Sequence, residues 1–93
     1  MSSSSTDQHI LSPGSIRGQL TAFLERQTKR AIEPELDIFA AGLVSSLFAL
    51  ELVVHIESTF GVTVGGPDLR LDNFRTVDRM TELVLRLRGE SDD

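Results

Sequence analysis

Two adjacent serines, Ser45 and Ser46, stand where a long loop meets the start of an apolar helical pattern. Ser45 is a good candidate for the N-cap of that helix, which leaves Ser46 near the first helical position. Free backbone N–H groups and the positive end of the helix dipole favour an anion at this point. A phosphate ester on Ser46 fits there, although the dipole contributes only about 0.3–1 kcal/mol at an exposed site. The serine pair is therefore a candidate modification site.

Catalysis by the serine itself is disfavoured by the positions of the histidines. A serine nucleophile needs a nearby base, and His55 lies about 13.5 Å further along the axis of the same predicted helix. His9 falls in the N-terminal tail, and the chain has no G-x-S-x-G motif. The histidines also lack neighbouring metal ligands, and His55 is expected on the helix surface. The sequence therefore predicts that the protein is not an enzyme and binds no metal.

Composition excludes several other function classes. The 93 residues include no cysteine, so any thiol chemistry has to come from a cofactor. The net charge of −5 argues against a primary role on nucleic acid, where Lys and Arg supply most of the affinity. No apolar run approaches the roughly 20 residues that cross a bilayer, so a membrane span is not expected.

The charged residues are unevenly distributed along the chain. No Lys or Arg occurs between Ala31 and Leu69, whereas six acidic residues do. They are Glu33, Glu35, Asp37, Glu51, Glu57 and Asp68. An acidic surface around the serine pair suits a basic partner, and it equally suits an ordinary solvated face. On charge alone both interpretations stay open.

Hydrophobic spacing predicts the elements that position the serines. Long helices are predicted over about 15–29, 46–60 and 76–88, with a short helical turn within 67–74. The segment between 30 and 44 is predicted to be an ordered loop because it carries its own apolar side chains. No convincing strand remains. The predicted fold class is therefore all-α, a small four-helix bundle of three long helices and one short one.

Local signals set the predicted helix ends and faces. Ser12–Gly14 is typical of a helix start, Gly61 and Gly89 of helix ends, and Thr76 of an N-cap. The second helix is the most apolar and is predicted to be central. Its predicted inner face comprises Leu47, Leu50, Val53, Val54 and Phe60. The short turn is predicted to point Leu69, Leu71 and Phe74 inward.

The predicted domain boundaries follow from these elements. Residues 1–12 hold a serine run with few apolar side chains and are predicted to be a disordered tail. Residues 13–89 form one domain, and residues 90–93 are expected to fray. The start of the chain lacks a basic and apolar secretory signal, so we expect a cytoplasmic protein, and we expect it to be a monomer.

Several short motifs occur together around the serine pair. Gly42-Leu43-Val44-Ser45-Ser46-Leu47 is followed by Glu51-Leu52, Ile56-Glu57, Phe60-Gly61-Val62 and Phe74-Arg75-Thr76-Val77. As a set, from about Ile32 to Leu87, these motifs resemble the acyl carrier protein family and its G-x-D-S-L motif. The resemblance implies that Ser46 receives 4′-phosphopantetheine from coenzyme A through a phosphopantetheinyl transferase. The thiol of that arm then holds an acyl group as a thioester, consistent with a chain that has no cysteine.

One position departs from the family motif. Ser45 stands where the family usually has Asp, which puts the choice of transferase in question. Asparagine also occurs there in some carriers, and the following Leu47 favours Ser46 over Ser45 as the modified residue. By this resemblance the protein docks on its transferase and on acyl-loading and acyl-modifying enzymes. The candidate docking residues are Asp37, Leu47, Glu51 and Glu57.

Within the family, residues 44–49 and 71–78 are most similar to freestanding carriers of polyketide extender units. Those carriers hold glyceryl, hydroxymalonyl, methoxymalonyl or aminomalonyl groups. The resemblance implies a small polar cargo that is delivered to a polyketide synthase acyltransferase and needs no deep acyl pocket. The alternatives are a peptidyl or fatty-acid carrier, or a helical protein-interaction module that is never modified.

Overall fold

The chain forms three α-helices and two short 3-10 segments in a computed structural model that describes residues 12–92, with side chains described through residue 89. The helices are α1 (Pro13–Thr28), α2 (Phe48–Phe60) and α3 (Val77–Asp92). The 3-10 segments are Gly66–Asp68 and Leu71–Phe74. No strand occurs in residues 12–92, so the all-α prediction is confirmed. The short fourth helix is present only as the 3-10 segments, and a four-helix count is not confirmed.

Local hydrogen bonds set the ends of α1. The Ser15 N–H donates to Ser12 Oγ over 3.1 Å, and Pro13 occupies the first turn, where its missing N–H is not needed. At the other end Lys29 takes a left-handed conformation with φ of 60°, and its N–H donates to the Glu25 carbonyl. The predicted helix is confirmed to within two residues. Most of the predicted tail, residues 1–11, lies outside the described part of the chain.

The loop between α1 and α2 is held at several points along its length. Ile32 and Ile38 are buried in the core, and four further apolar side chains of the loop pack against it. The Ile38 N–H donates to the Arg75 carbonyl over 2.9 Å, and the Asp78 N–H donates to the Pro34 carbonyl over 3.0 Å. The prediction of an ordered loop is therefore confirmed.

The faces of α2 differ from the prediction. Its buried side chains are Leu52, Ile56 and Phe60. Its most exposed apolar side chains are Leu47 at the cap, Leu50 and Val54, with 75%, 65% and 64% of their surface accessible. Of the predicted inner face, Phe60 is buried and Val53 packs half-buried against the core. The helix carries apolar residues on more than one side, so the spacing alone does not select which side faces the core.

The most extensively buried helix is α3 rather than the central α2 that the composition predicts. It packs on α1 and on the segment Leu71–Phe74. Its core side chains are Val77, Met80, Leu83, Val84 and Leu87. Charged residues occupy its outer face, so α3 as a whole is less apolar than α2 even though its inner face is fully buried.

The ends of α3 confirm one prediction and overturn another. The Arg79 N–H donates to Thr76 Oγ1 over 3.0 Å, so Thr76 is the N-cap as predicted. The helix continues through Gly89 to Asp92, and the predicted end at Gly89 is wrong. Gly89 does not take a positive φ, and an interior glycine costs a helix only about 1 kcal/mol. The helix therefore includes residues 90–92, the expected fraying of residues 90–93 stays a prediction, and Asp93 lies outside the described residues.

The segment between α2 and α3 is irregular, as expected. Gly61 ends α2 with φ of 67°, which confirms that prediction. Val62, Val64 and Phe74 are buried, but Leu69 is exposed, contrary to its predicted inward position. None of the helices in residues 12–92 has the length and apolar character that a bilayer span requires.

Candidate functional site

Both serines lie on a turn that leads into α2. The Phe48, Ala49 and Leu50 N–H groups donate to the carbonyls three residues earlier, over 3.0–3.1 Å. The helix therefore starts at Phe48, two residues later than predicted. Leu47 already has helical dihedral angles, and no side chain caps the helix, so the N-cap role predicted for Ser45 is wrong.

The Ser46 hydroxyl is exposed and uncommitted. Neither serine hydroxyl has a hydrogen-bond partner within residues 12–92, and both residues are exposed to solvent. The N–H groups of residues 45–47 likewise have no acceptor in that part of the chain. Free N–H groups at the start of a 13-residue helix suit an anion. A phosphate attached at Ser46 therefore meets no steric or electrostatic obstacle from the backbone.

Two clefts flank this turn. The first, the α1 cleft, has a volume of about 260 Å³ and lies between α1 and the start of α2. It is lined by Gln27, Leu43, Val44, Ser45, Leu47, Phe48 and Glu51. The second, the apolar cleft, has a volume of about 140 Å³ and lies between α2 and the 3-10 segments. It is lined by Ala49, Leu50, Val53, Leu69, Arg70, Leu71 and Phe74.

An exposed apolar strip adjoins Ser46. It consists of Leu47, Leu50 and Val54, which are spaced to lie along one side of α2. Exposed apolar residues that form a contiguous strip, unlike scattered ones, mark interaction surfaces. The strip therefore brings the predicted docking residue Leu47 together with two residues whose spacing predicted a place in the core.

The predicted docking carboxylates divide into two kinds. Glu51 is exposed, and its carboxylate has no hydrogen bond or ion pair within residues 12–92. Glu57 is half-buried, and its Oε2 accepts a hydrogen bond from the Val64 N–H over 2.8 Å. Glu57 thereby ties the segment after α2 back onto the helix.

Asp37 is also bound by its own chain. Its Oδ1 accepts hydrogen bonds from the Phe39 and Ala40 N–H groups over 3.1 and 2.9 Å. Its Oδ2 pairs with the Arg75 guanidinium over 3.3 Å. The hydrogen bond from Ala40, followed by the charge of Arg75, holds the pKa of Asp37 below its ordinary value. Asp37 thus shapes the loop ahead of the serines.

In the folded protein, arginines from outside the acidic segment pair with two of its six carboxylates. Arg75 and Arg86 follow the segment that lacks basic residues, yet they pair with Asp37 and Asp68, which lie inside it. The Arg86–Asp68 distance is 2.8 Å. The free acidic charge near Ser46 is therefore smaller than the linear count of six carboxylates, and Glu51 is its nearest member along the chain.

His55 is half-buried, and one face of its ring packs on α1 in addition to the surface position expected for it. Its ring stacks on Phe23 of α1 with 3.8 Å between centroids, and Phe23 also stacks on Phe48 at 6.0 Å. Burial, followed by the charge of Arg26, lowers the pKa of His55 below its ordinary value. The stack joins α1 to the start of α2, and no local pattern in the sequence indicates it. In residues 12–92 no group of His, Asp and Glu side chains is arranged to hold a metal ion.

Comparison with known proteins places this geometry in a family. The family described as "Phosphopantetheine attachment site" matches residues 16–84, which include the serine turn, both clefts and most of the three helices. The chain belongs to the phosphopantetheine-attachment family. The family resemblance noted in the sequence is therefore confirmed, and the cofactor is a covalently attached 4′-phosphopantetheine.

Similar curated proteins include several D-alanyl carrier proteins. The one from Bacillus velezensis is 39% identical over 54 residues, which cover 54% of this chain and 69% of that protein. The one from Streptococcus pyogenes serotype M5 is 36% identical over 52 residues, covering 56% of this chain and 66% of that protein. The one from Streptococcus mutans is 33% identical over 53 residues, covering 57% and 67%. The chain thus spans about two thirds of the length of these relatives.

The fit of the cofactor can be judged from the residues around the turn. An exposed hydroxyl without a partner, free N–H groups and two flanking clefts leave room for a phosphodiester and its arm. As a phosphopantetheine-attachment protein the chain is a carrier, and proteins of this kind are generally not catalysts. The similar proteins are named for D-alanine and not for polyketide extender units.

Proposed function

We propose that the protein is an acyl carrier that bears its phosphopantetheine arm on Ser46 Oγ and holds a small polar acyl group as a thioester. The observation that carries the proposal is the uncommitted Ser46 hydroxyl on an exposed turn at the start of α2. The cofactor supplies the thiol that this chain lacks. The chain itself supplies the attachment point and the surface that partner enzymes bind.

Attachment is a phosphoryl transfer in which Ser46 is the acceptor. The hydroxyl oxygen forms a bond to the phosphorus of coenzyme A that bears the pantetheine, and the bond from that phosphorus to the nucleotide breaks. The nucleotide leaves as adenosine 3′,5′-bisphosphate, and the hydroxyl proton passes to a base on the transferase. Among the described residues the one histidine, His55, is stacked against Phe23 on the side of α1, so the base is proposed to belong to the transferase.

The choice of Ser46 over Ser45 is supported by the family motif and by the surroundings of the turn. Ser45 lines the α1 cleft, and its carbonyl accepts the hydrogen bond that starts the turn. Ser46 lines neither cleft, although its chain neighbours Ser45 and Leu47 line the α1 cleft. A transferase therefore approaches Ser46 from solvent without opening the fold.

Docking on partner enzymes is proposed to use the apolar strip and Glu51. Leu47 and Leu50 provide exposed apolar area, and Glu51 provides a free charge beside it. Asp37 and Glu57, also proposed from the sequence, contribute indirectly by holding the loops that flank α2. The proposed partners are a phosphopantetheinyl transferase and enzymes that load, modify and receive the acyl group.

Two identities of the cargo are proposed, and both are small and polar. Residues 44–49 and 71–78 support a polyketide extender unit of the glyceryl or malonyl type, received by a polyketide synthase acyltransferase. The relatives named as D-alanyl carrier proteins support D-alanine. The small volume of the apolar cleft, about 140 Å³, disfavours a long fatty acyl chain.

Intact-mass spectrometry tests the carrier function. The protein and its Ser46→Ala variant are incubated with coenzyme A and a broad-specificity phosphopantetheinyl transferase. One phosphopantetheine should be added to the parent and none to the variant, while both keep the same circular dichroism spectrum. If several transferases leave the folded parent unmodified, the alternative of an unmodified interaction module is favoured.

Charging experiments on the modified protein separate the two cargos. One reaction contains D-alanine, ATP and a D-alanine–carrier ligase, and the other contains a glyceryl- or malonyl-loading enzyme with its substrate. Intact mass reports which acyl group is added. Rapid charging with D-alanine alone would set aside the extender-unit proposal, and the reverse result would set aside D-alanine.

A further inference from the structure

The α1 cleft differs from the apolar cleft in size, lining and distance from the modification site. It has almost twice the volume, about 260 against 140 Å³. Both chain neighbours of Ser46, Ser45 and Leu47, line it, whereas the apolar cleft begins at Ala49. A group attached to Ser46 therefore reaches the α1 cleft first.

The lining of the α1 cleft combines an apolar wall with polar groups that have no partner. Leu43, Val44 and Phe48 form the wall, and the ring of Phe48 is held by its stack on Phe23. The side chains of Gln27 and Glu51 supply an amide and a carboxylate. Neither has a hydrogen bond within residues 12–92, so the cleft offers an unused donor and an unused acceptor.

That combination matches the first part of the pantetheine arm. Next to its phosphate the arm carries a branched carbon with two methyl groups, followed by a hydroxyl and an amide. Methyl groups suit the wall of Leu43, Val44 and Phe48. The arm's hydroxyl suits the Glu51 carboxylate as a donor, and its amide oxygen suits the Gln27 amide as an acceptor.

We propose that the α1 cleft is a resting seat for the pantoyl part of the arm, between Gln27 of α1 and Glu51 of α2. This inference rests on the proposed attachment at Ser46. The seat holds the neutral part of the arm while the phosphate stays at the turn, near the free N–H groups of residues 45–47. It leaves the thiol end outside, available to partner enzymes.

A seat on this side shares part of the docking surface. Leu47 and Glu51 line the α1 cleft, whereas Leu50 and Val54 do not. An arm in the apolar cleft instead covers Leu50, which lines that cleft. The seated arm therefore leaves Leu50 and Val54 accessible, while a partner that binds Leu47 and Glu51 competes with the seat.

Nuclear magnetic resonance on the modified protein tests the seat. Full conversion is first verified by intact mass, and nuclear Overhauser effects are then measured from the arm's two methyl groups. The expected contacts are to Val44 and Phe48, with shifts of the Gln27 side-chain amide on modification. Contacts to Leu50 and Leu69 in place of these, or no contacts to the protein, would overturn the seat and leave the carrier function intact.

Variants of the two polar residues sharpen the test. Gln27 and Glu51 are exposed, so the double variant Gln27→Ala/Glu51→Ala should fold like the parent. Because Glu51 is also proposed to bind the transferase, the variant is left to react until intact mass shows full conversion before its contacts are measured. Loss of two hydrogen bonds should lower the equilibrium constant for seating by about tenfold, with weaker methyl contacts at Val44. Leu69→Ala, in the apolar cleft, is the matched control and should leave those contacts unchanged. Unchanged contacts in the fully modified double variant would contradict the roles proposed for Gln27 and Glu51. Failure of the parent protein to be modified at Ser46 would overturn both the seat and the proposed carrier function.

Discussion

The two sides of α2 are built from similar residues and used in opposite ways. Leu52, Ile56 and Phe60 are buried against the rest of the domain, whereas the strip of Leu47, Leu50 and Val54 is exposed. Burying a leucine side chain contributes about 1.5–3 kcal/mol, which the exposed strip forgoes in the free protein. The difference indicates that one side stabilises the fold and the other is available to a partner.

The carboxylates of α2 show the same division. Glu57, near the end of the helix, binds the Val64 N–H, while Glu51, near the serine turn, has no partner in residues 12–92. The end of α2 that lies far from Ser46 is thus committed to the fold. Near Ser46, the helix exposes the apolar strip, and the Glu51 carboxylate and the Ser46 hydroxyl have no hydrogen-bond partner in residues 12–92. This cluster of exposed groups without partners distinguishes the site from the rest of α2.

The largest expected effect separates the two apolar sides by stability. Leu52→Ala removes a fully buried side chain and should lower the free energy of unfolding by about 2–5 kcal/mol. Leu50→Ala changes an exposed side chain and should stay within about 0.5 kcal/mol of the parent. Urea denaturation measures both. Equal losses would show that the two sides of α2 do not differ as the structure indicates.

The strip should instead matter to partner enzymes. Leu47→Ser removes exposed apolar area beside Ser46 and should lower the transferase kcat/KM by about tenfold, a typical effect for an interface residue. Leu85→Ser on α3 is the matched control, since Leu85 is also partly exposed but lies outside the strip. The rate of phosphopantetheine transfer measures both variants. A similar loss in both would argue against docking through the strip.

A smaller effect should distinguish the two glutamates. Glu57→Ala removes the acceptor of the Val64 N–H and should cost about 1–1.5 kcal/mol of unfolding free energy. It should also speed hydrogen exchange at the Val64 amide. Glu51→Ala should leave both quantities near those of the parent. If the Val64 amide exchanges at the same rate in Glu57→Ala, the tie between the helix and the following segment is not significant in solution.

The smallest effect concerns pH and the stack that joins α1 to α2. Burial holds the pKa of His55 below its ordinary value of 6.5, so folding favours the neutral ring. The contribution of His55 is therefore complete above that value and is lost as the pH falls through the pKa of the folded state. His55→Gln should show a smaller fall in Tm than the parent between about pH 7.5 and about pH 5. An identical fall in both proteins would assign the pH dependence to other groups.

The features of this fold that depend on neighbouring residues, such as helix ends, could be predicted from the sequence. Ser12, Gly61 and Thr76 act through hydrogen bonds or dihedral angles of their own neighbours, and all three were predicted correctly. The orientation of α2 depends on what packs against it, and its apolar residues on several sides allow no unique answer. The helix beyond Gly89 was missed because a glycine weakens a helix without ending it.

The site divides in the same way. The sequence predicted that Ser46 lies close to the start of α2, but it placed the residue in the first helical turn, whereas the structure places it on the turn before the helix. The ion pair of Asp37 with Arg75 and the hydrogen bond of Glu57 with the Val64 N–H could not be predicted, because only the tertiary fold brings these partners together. The stack of Phe23 with Phe48 and His55 is likewise a contact between helices, without a local signal in the sequence.

The attachment of the arm to Ser46 is tested most directly by locating it within the parent protein. After reaction with coenzyme A and a transferase, the protein is digested, and fragmentation mass spectrometry assigns the phosphopantetheine to a residue. We expect a single modification on Ser46, with Ser45 unmodified. A modification on Ser45, or on any serine outside the turn, would contradict the proposed site.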